Sequence, residues 1–178
     1  MARREAWQWE AVAPRVSALG RSLVGGYGPV LISVTAERPS ATNFQRLAEV
    51  GSKMRESHPD GVYLLIVREH IDDLRGGEPL PGDARSAARR LLERFRGDLR
   101  GVAYVYEGSG FGASLVRMSF SALTRVLPVP ARITADVPGA LDWMGADAAV
   151  GWDRDGLLRE VRSLRARLRE STRALGDP

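Results

Sequence analysis

Short apolar segments alternate with amphipathic helical segments along most of this chain, and that alternation restricts the fold more than any other feature. Residues 30–34, 62–67 and 102–106 have the length and the β-branched or aromatic content of strands. Residues 131–134 form a shorter candidate of the same kind. Segments with helical spacing separate these runs. The pattern predicts an α/β fold with a mixed, mostly parallel sheet flanked by helices.

The apolar pattern also indicates which strand is central and where the helices begin. Because residues 62–67 are apolar without interruption, we expect this strand to be covered on both faces. Thr42 and Gln45 have capping-box spacing at the start of the first helix, and Asp83 is the expected cap of the second. The predicted core faces are Phe44, Leu47, Ala48, Gly51 and Met54 in the first helix and Ala84, Ala87, Ala88, Leu91, Leu92 and Phe95 in the second.

Composition restricts the classes of function. A chain of 178 residues fits one domain with a tail, and the absence of cysteine excludes disulfides, thiolate catalysis and Cys-based zinc sites. No apolar run approaches the ~18 residues that suggest a membrane span. The first residues lack the apolar stretch of a secretion signal. We therefore expect a cytoplasmic protein with no membrane span.

The positive charge of the chain comes almost entirely from arginine. The formal net charge is +4, and of the 26 basic residues all but Lys53 are arginine. Such a bias is typical of the composition of a GC-rich genome, so we interpret the basic surface as solvated and expect no nucleic-acid partner. Arginine is nevertheless the main phosphate-reading side chain, which keeps a nucleic-acid-associated role as an alternative.

The segment before the predicted domain at 28–146 has two interpretations. Val12, Val16, Leu19 and Leu23 recur at helical spacing. A helix over this part of residues 1–27 would end at Gly25-Gly26. The same segment could instead pair as an edge strand, with a turn at residues 25–28.

The segment 152–178 has the pattern of an amphipathic helix. Leu157, Val161, Leu164 and Leu168 fall at spacings of four and three, which is an a/d stripe. Three interpretations remain open for it. The stripe packs on its own domain, it joins copies of the chain into a homo-oligomer, or the intervening arginines place the helix on a nucleic acid or an anionic surface.

A glycine-rich loop follows the third parallel strand. Gly108, Ser109, Gly110, Phe111 and Gly112 could bring backbone N–H groups close to a small anion or a nucleotide phosphate, at the start of the next helix. Arg85 or Arg117 would then add positive charge. The Gly-x-Gly-x-Gly spacing differs from the dinucleotide fingerprint, and a tight strand-to-helix turn needs the same residues.

A second polar segment, Glu69-His70-Ile71-Asp72-Asp73, holds the densest set of acid/base groups. The other histidine, His58, precedes a proline at a helix end. One histidine beside two neighbouring aspartates is a weak metal pattern, so we predict no metal, no cofactor and no catalytic residues. No paired-carboxylate motif is evident in the sequence.

Several motifs resemble those of STAS domains, and in particular those of uncharacterised bacterial STAS-like proteins. In these proteins a Pro-Leu-Pro segment precedes an Arg-bearing helix, and a strand ends in Glu-Gly-x-Gly-Phe. A proline-flanked strand and an Ala-x-x-Trp helix follow. The matching positions are Pro79-Leu80-Pro81, Asp83-Ala84-Arg85, Glu107-Gly108-Ser109-Gly110-Phe111, Arg117, Pro128, Pro130 and Ala140-Leu141-Asp142-Trp143.

The resemblance implies a non-catalytic regulatory or scaffolding module that binds another protein, and it favours the edge strand within residues 1–27. Classical members are switched by phosphorylation where the third strand leads into the second helix. This chain has a long loop there, residues 69–82, and Ser86 is the candidate phosphosite. The implied binding surface comprises Arg85, Ser86, Gly108, Ser109, Gly110, Phe111 and Arg117.

Overall fold

Within the residues that the structure describes, five strands form one sheet in the order β1-β2-β3-β4-β5. The computed structural model describes residues 21–37, 39–69, 81–107, 129–146 and 153–176. Pairing is antiparallel between β1 and β2 and parallel at the other three junctions. The predicted α/β fold with a mixed, mostly parallel sheet and flanking helices is confirmed. In chain order the elements are β1 Ser22–Tyr27, β2 Val30–Thr35, α1 Ala41–Ser57, β3 Val62–Arg68, α2 Gly82–Arg94, β4 Leu99–Tyr106, β5 Ala131–Thr134, α3 Val137–Gly145 and α4 Arg154–Gly176.

The sheet is covered on both faces, and β3 lies at its centre as predicted. Alternate side chains of β3 enter two different cores: Leu64 lies in the core beneath α1 and α2, and Leu65 lies in the core beneath α3 and α4. Consecutive parallel strands joined by right-handed crossovers place their connecting helices on the same face, which explains why α1 and α2 are neighbours. The other face is left for the helices that follow β5.

The predicted starts of α1 and α2 are wrong in detail. Ser40, in an extended conformation, is the N-cap of α1, and its Oγ accepts a hydrogen bond from the Asn43 N–H at 3.3 Å. Thr42 is therefore already inside the helix. Pro81 occupies the N-cap position of α2 without a side-chain cap, so Asp83 is a first-turn residue. The fixed φ of a proline immediately before a helix directs the chain into the helix, so no hydroxyl or carboxylate side chain is needed as a cap.

The residues before β2 form an edge hairpin. Gly25 and Gly26, which would end a helix, lie inside β1, and the turn is at Gly28, with a φ of 53°, and Pro29. Gly25 has a packing role, because a Cβ there would lie only 3.1 Å from Cδ1 of Leu164 in α4. The small residue in the edge strand therefore admits the C-terminal helix.

Helix α4 packs on the sheet of its own chain. Leu157, Val161, Leu164 and Leu168 are only 1%, 2%, 3% and 2% exposed, and they share a core with strands β1 to β4. This burial corresponds to the first of the three interpretations, packing of the stripe on its own domain, and association of copies through these four side chains stays a prediction. β1 and α4, both outside the predicted range 28–146, belong to the same core. No helix in the described part of the chain is long and apolar enough to cross a membrane.

Candidate functional site at the carboxyl edge of the sheet

The four parallel strands end at one edge of the sheet, where α/β proteins place their binding surfaces. In the register of the sheet, Thr35 at the end of β2 lies beside Arg68 of β3, and Arg68 lies beside Tyr106 of β4. Helices α1 and α2 also begin at this edge, because each follows a parallel strand. The carboxyl edge therefore collects polar side chains from several distant parts of the sequence.

Two glutamates come together where β3 and β4 end. Glu69 directly follows β3 and Glu107 directly follows β4, and the residues before them are register partners. By strand alternation both side chains share the α4 face with Val67 and Val105. The spatial carboxylate pair that the sequence did not reveal is therefore present at this edge.

Arg165 of α4 bridges this pair of carboxylates. Its Nε lies 2.6 Å from Oε1 of Glu69, and its Nη2 lies 2.7 Å from Oε2 of Glu107. Arg169, one turn further along α4, reaches Oε2 of Glu69 at 3.1 Å. We call Glu69, Glu107, Arg165 and Arg169 the edge cluster. Its two carboxylates and two guanidinium groups balance in formal charge.

The Glu69–Arg165 pair of the edge cluster is mostly shielded from water, whereas Arg169 is 62% exposed. The side chains of Glu69 and Arg165 are 15% and 18% exposed, and that of Glu107 is 36% exposed. Nε and Nη2 of Arg165 are enclosed at ion-pair distance but form no well-aligned hydrogen bond. Attraction between charges, rather than ideal hydrogen-bond geometry, therefore holds Arg165 to the two glutamates, and Arg169 adds a hydrogen bond to Glu69. Removing one partner would leave an uncompensated charge in a partly dry place.

A second polar group lies at the start of α1. Asn43, only 8% exposed, donates from Nδ2 to Oε1 of Glu37 at 3.1 Å and accepts from the Ser40 hydroxyl at 3.0 Å. The Thr35 hydroxyl donates to the Glu37 carbonyl at 3.1 Å. These bonds satisfy a buried amide and fix the path from β2 to α1, so this group supports the edge structurally.

A half-buried tyrosine lies beside Arg68 on the sheet face covered by α1 and α2. Nη1 of Arg68 lies 3.5 Å from the Tyr104 hydroxyl. Burial raises the pKa of Tyr104, and the hydrogen bond and positive charge of Arg68 offset part of that rise. The Tyr104 phenol is thus a neutral hydrogen-bonding group at neutral pH.

The predicted binding surface is described in part. Arg85 and Ser86 both lie exposed in the first turns of α2, and the Ser86 hydroxyl donates to the Gly82 carbonyl at 2.9 Å. The remaining predicted members, Gly108, Ser109, Gly110, Phe111 and Arg117, lie outside the described residues, as do His70, Asp72 and Asp73. Within the described ranges, no group of three or more His, Asp or Glu side chains could hold a metal ion.

Sequence reasoning missed Arg165 and Arg169 as members of the site. One usable signal was that Glu69 and Glu107 each directly follow a predicted parallel strand, so their neighbourhood could have been inferred from topology. The partner helix could not be inferred in this way, because the arginines belong to the far end of the chain.

The start of α4 is fixed at the opposite edge of the sheet. The Tyr27 hydroxyl donates to Oδ2 of Asp153 at 2.6 Å, while Oδ1 of Asp153 accepts the Gly156 N–H at 2.8 Å. These bonds lower the pKa of Asp153, and the bond to Asp153 raises the pKa of Tyr27. A side chain at Gly156 would collide with Tyr27 and Asp153. The helix is therefore held at both ends, by a cap at one and by the edge cluster at the other.

Comparison of the chain with protein-family models, with curated proteins and with solved structures gave no match. The STAS resemblance therefore rests on the sequence motifs alone, and the geometry of the carboxyl edge is the structural guide to function.

Proposed function

We propose that the chain is a non-catalytic regulatory or scaffolding module of the STAS type, which binds another protein in the bacterial cytoplasm. The observation that carries the proposal is the exposure of Arg85 and Ser86 at the carboxyl edge of a mostly parallel sheet. The element order also supports it, since a hairpin followed by alternating helices and parallel strands is the order that the resemblance implies.

The environment of Ser86 suits a phosphorylation switch. Ser86 is the fifth residue of α2, just beyond the first turn to which the effect of the helix dipole is confined, and it is exposed. Arg89 and Arg90 follow at i+3 and i+4, on the same side of the helix, and both are exposed, although Arg89 already forms an ion pair with Glu93 at 2.8 Å. A phosphate on Ser86 would therefore be stabilised locally, and it would change the charge of the surface offered to a partner.

The edge cluster has a supporting role in this proposal. It ties the ends of β3 and β4 to α4 through Glu69, Glu107 and Arg165. In the sequence, these strand ends are followed by residues 70–80, which precede Arg85 and Ser86, and by residues 108–112, most of which belong to the proposed surface. A rigid base lowers the entropy that a partner must remove when it binds.

Affinity capture from the bacterial cytoplasm tests the proposal. The wild-type chain should retain one protein at near-equal amounts, and Arg85→Glu or Ser86→Glu should lose at least ~10-fold of that binding, because a hot-spot charge is worth more than ~1.4 kcal/mol. Arg96→Glu is the matched control for Arg85→Glu, since it makes the same charge change at an exposed position past the far end of α2. Phe111→Ala tests the remaining predicted anchor.

A partner retained equally by all variants would place the interface elsewhere and reject this surface. Capture of no stoichiometric partner, together with turnover in a panel of enzyme assays, would reject the interaction module as a whole.

A further inference from the structure

The outer face of α4 carries a line of arginines. Arg159, Arg162, Arg169 and Arg173 are all exposed and fall on the side of the helix opposite its buried leucines. At ~1.5 Å per residue this outer arginine stripe is about 21 Å long. Arg165, between its two halves, points to the flank and belongs to the edge cluster. Ala166 fills the gap in the line.

The stripe is held in place and accessible. The apolar side chains on the opposite face of α4 are only 1–3% exposed, so the helix cannot rotate about its axis and bury its arginines. Arg162 and Arg173 have no hydrogen-bond or ion-pair partner among the described residues. Arg159 and Arg169 are 67% and 62% exposed despite ion pairs with Asp153 at 3.8 Å and with Glu69 at 3.1 Å. All four guanidinium groups can therefore meet a ligand from solvent.

Positive charges outnumber negative ones on the outer face of α4, which also carries the exposed Asp155 one turn before Arg159. Asp155 lies in the first turn, where a carboxylate offsets the helix dipole, and Glu160 is half-buried near Gly25. Glu170 borders the stripe, but the outer face remains net positive. An amphipathic helix places its charged residues on the exposed face in any case, so the distinguishing feature of this face is the excess of four arginines over two carboxylates, Asp155 and Glu170.

The residues around the stripe indicate which class of polyanionic partner it suits. A protein interface has an aromatic or aliphatic core, whereas the exposed residues among these arginines are Ser163, Ala166 and Glu170. A membrane-surface helix inserts its apolar face, but here that face is already in the protein core. A phosphate backbone needs only positive charge and hydrogen-bond donors.

We infer that the outer arginine stripe binds the phosphate backbone of a nucleic acid without reading its base sequence. The net charge of +4 adds long-range attraction to such a partner. The stripe is separate from the start of α2, so this inference stands independently of the proposed protein partner.

Fluorescence anisotropy with a labelled duplex DNA and a labelled single-stranded RNA, both of mixed sequence, tests the inference over a salt series. Four phosphate contacts give a slope of about −3.6 for log K against log salt on duplex DNA. The double variant Arg162→Ala/Arg173→Ala should weaken binding to all sequences alike and make the slope less negative by about 2. Arg96→Ala/Arg132→Ala is the control, because it removes the same charge from exposed positions outside α4.

An equal loss of affinity in the control variant would show that binding depends on net charge alone, and it would contradict binding at the stripe. Absence of binding at low salt would also overturn it. Anionic vesicles and polyglutamate are tested in the same way. Preferential binding of the vesicles over both nucleic acids would assign the stripe to a lipid surface, and preferential binding of polyglutamate would assign it to an acidic protein.

Discussion

Leu164 and Gly25 offer a direct test of how α4 is attached to the sheet. Leu164 is 3% exposed, and its Cδ1 would lie 3.1 Å from a Cβ placed at Gly25. Leu164→Ala should cost about 3 kcal/mol, from lost burial and from the cavity that remains. For a chain of this size the melting temperature should fall by about 6–12 °C. Ser163→Ala, at the exposed neighbouring position, should change stability by less than about 0.5 kcal/mol.

The partner substitution sharpens this prediction. In the wild-type background, Gly25→Ala should cost about 1 kcal/mol, because the new methyl group presses on Leu164. In the Leu164→Ala background the methyl group enters the vacated space, so the same change should be neutral or stabilising. The double-mutant cycle should show a coupling of about 1–2 kcal/mol.

Urea unfolding gives the free energies, and light scattering gives the mass of each variant. Additive effects of Gly25→Ala and Leu164→Ala would contradict direct contact between α4 and β1. An unchanged melting temperature for Leu164→Ala, together with a lower mass, would show that the leucine stripe joins copies of the chain rather than filling its own core.

Two further predictions concern charges. Arg165→Met should destabilise the fold by about 1–3 kcal/mol in urea unfolding, because Glu69 and Glu107 lose their shared counter-charge while partly shielded from water. Adding Glu107→Gln to this variant should recover part of the loss, and no recovery would contradict repulsion between the two carboxylates. The lowered pKa of Asp153 contributes stability that is present above its ordinary value of 3.8 and is lost as the pH falls through the folded-state value. Because the Tyr27 hydrogen bond is the largest cause of that lowering, Tyr27→Phe should show a smaller drop in melting temperature between neutral pH and about pH 3 than the wild type. Equal acid sensitivity of the two proteins would reject the role of Tyr27.

Local sequence patterns made the helices, the strands and the fold class predictable. The uninterrupted apolar run of β3 indicated a strand covered on both faces, and the spacing of Leu157, Val161, Leu164 and Leu168 indicated a helix with one apolar face. Both patterns depend only on the geometry of a strand or a helix, so one sequence suffices. The cap of α1 was misplaced by two residues, because Ser40 and Thr42 carry equivalent hydroxyls and only the backbone conformation selects between them.

The tertiary structure determined which element packs on each apolar face and which charged side chains from distant parts of the sequence form ion pairs. The leucine stripe on α4 has the same period whether it faces its own sheet or a second copy, and the choice depends on the space that Gly25 leaves in β1. Glu69 and Glu107 become neighbours through the register of two parallel strands, and Arg165 reaches them from the end of the chain. Helical and strand periods describe only neighbours along the sequence, whereas strand register and helix docking depend on packing across the whole core.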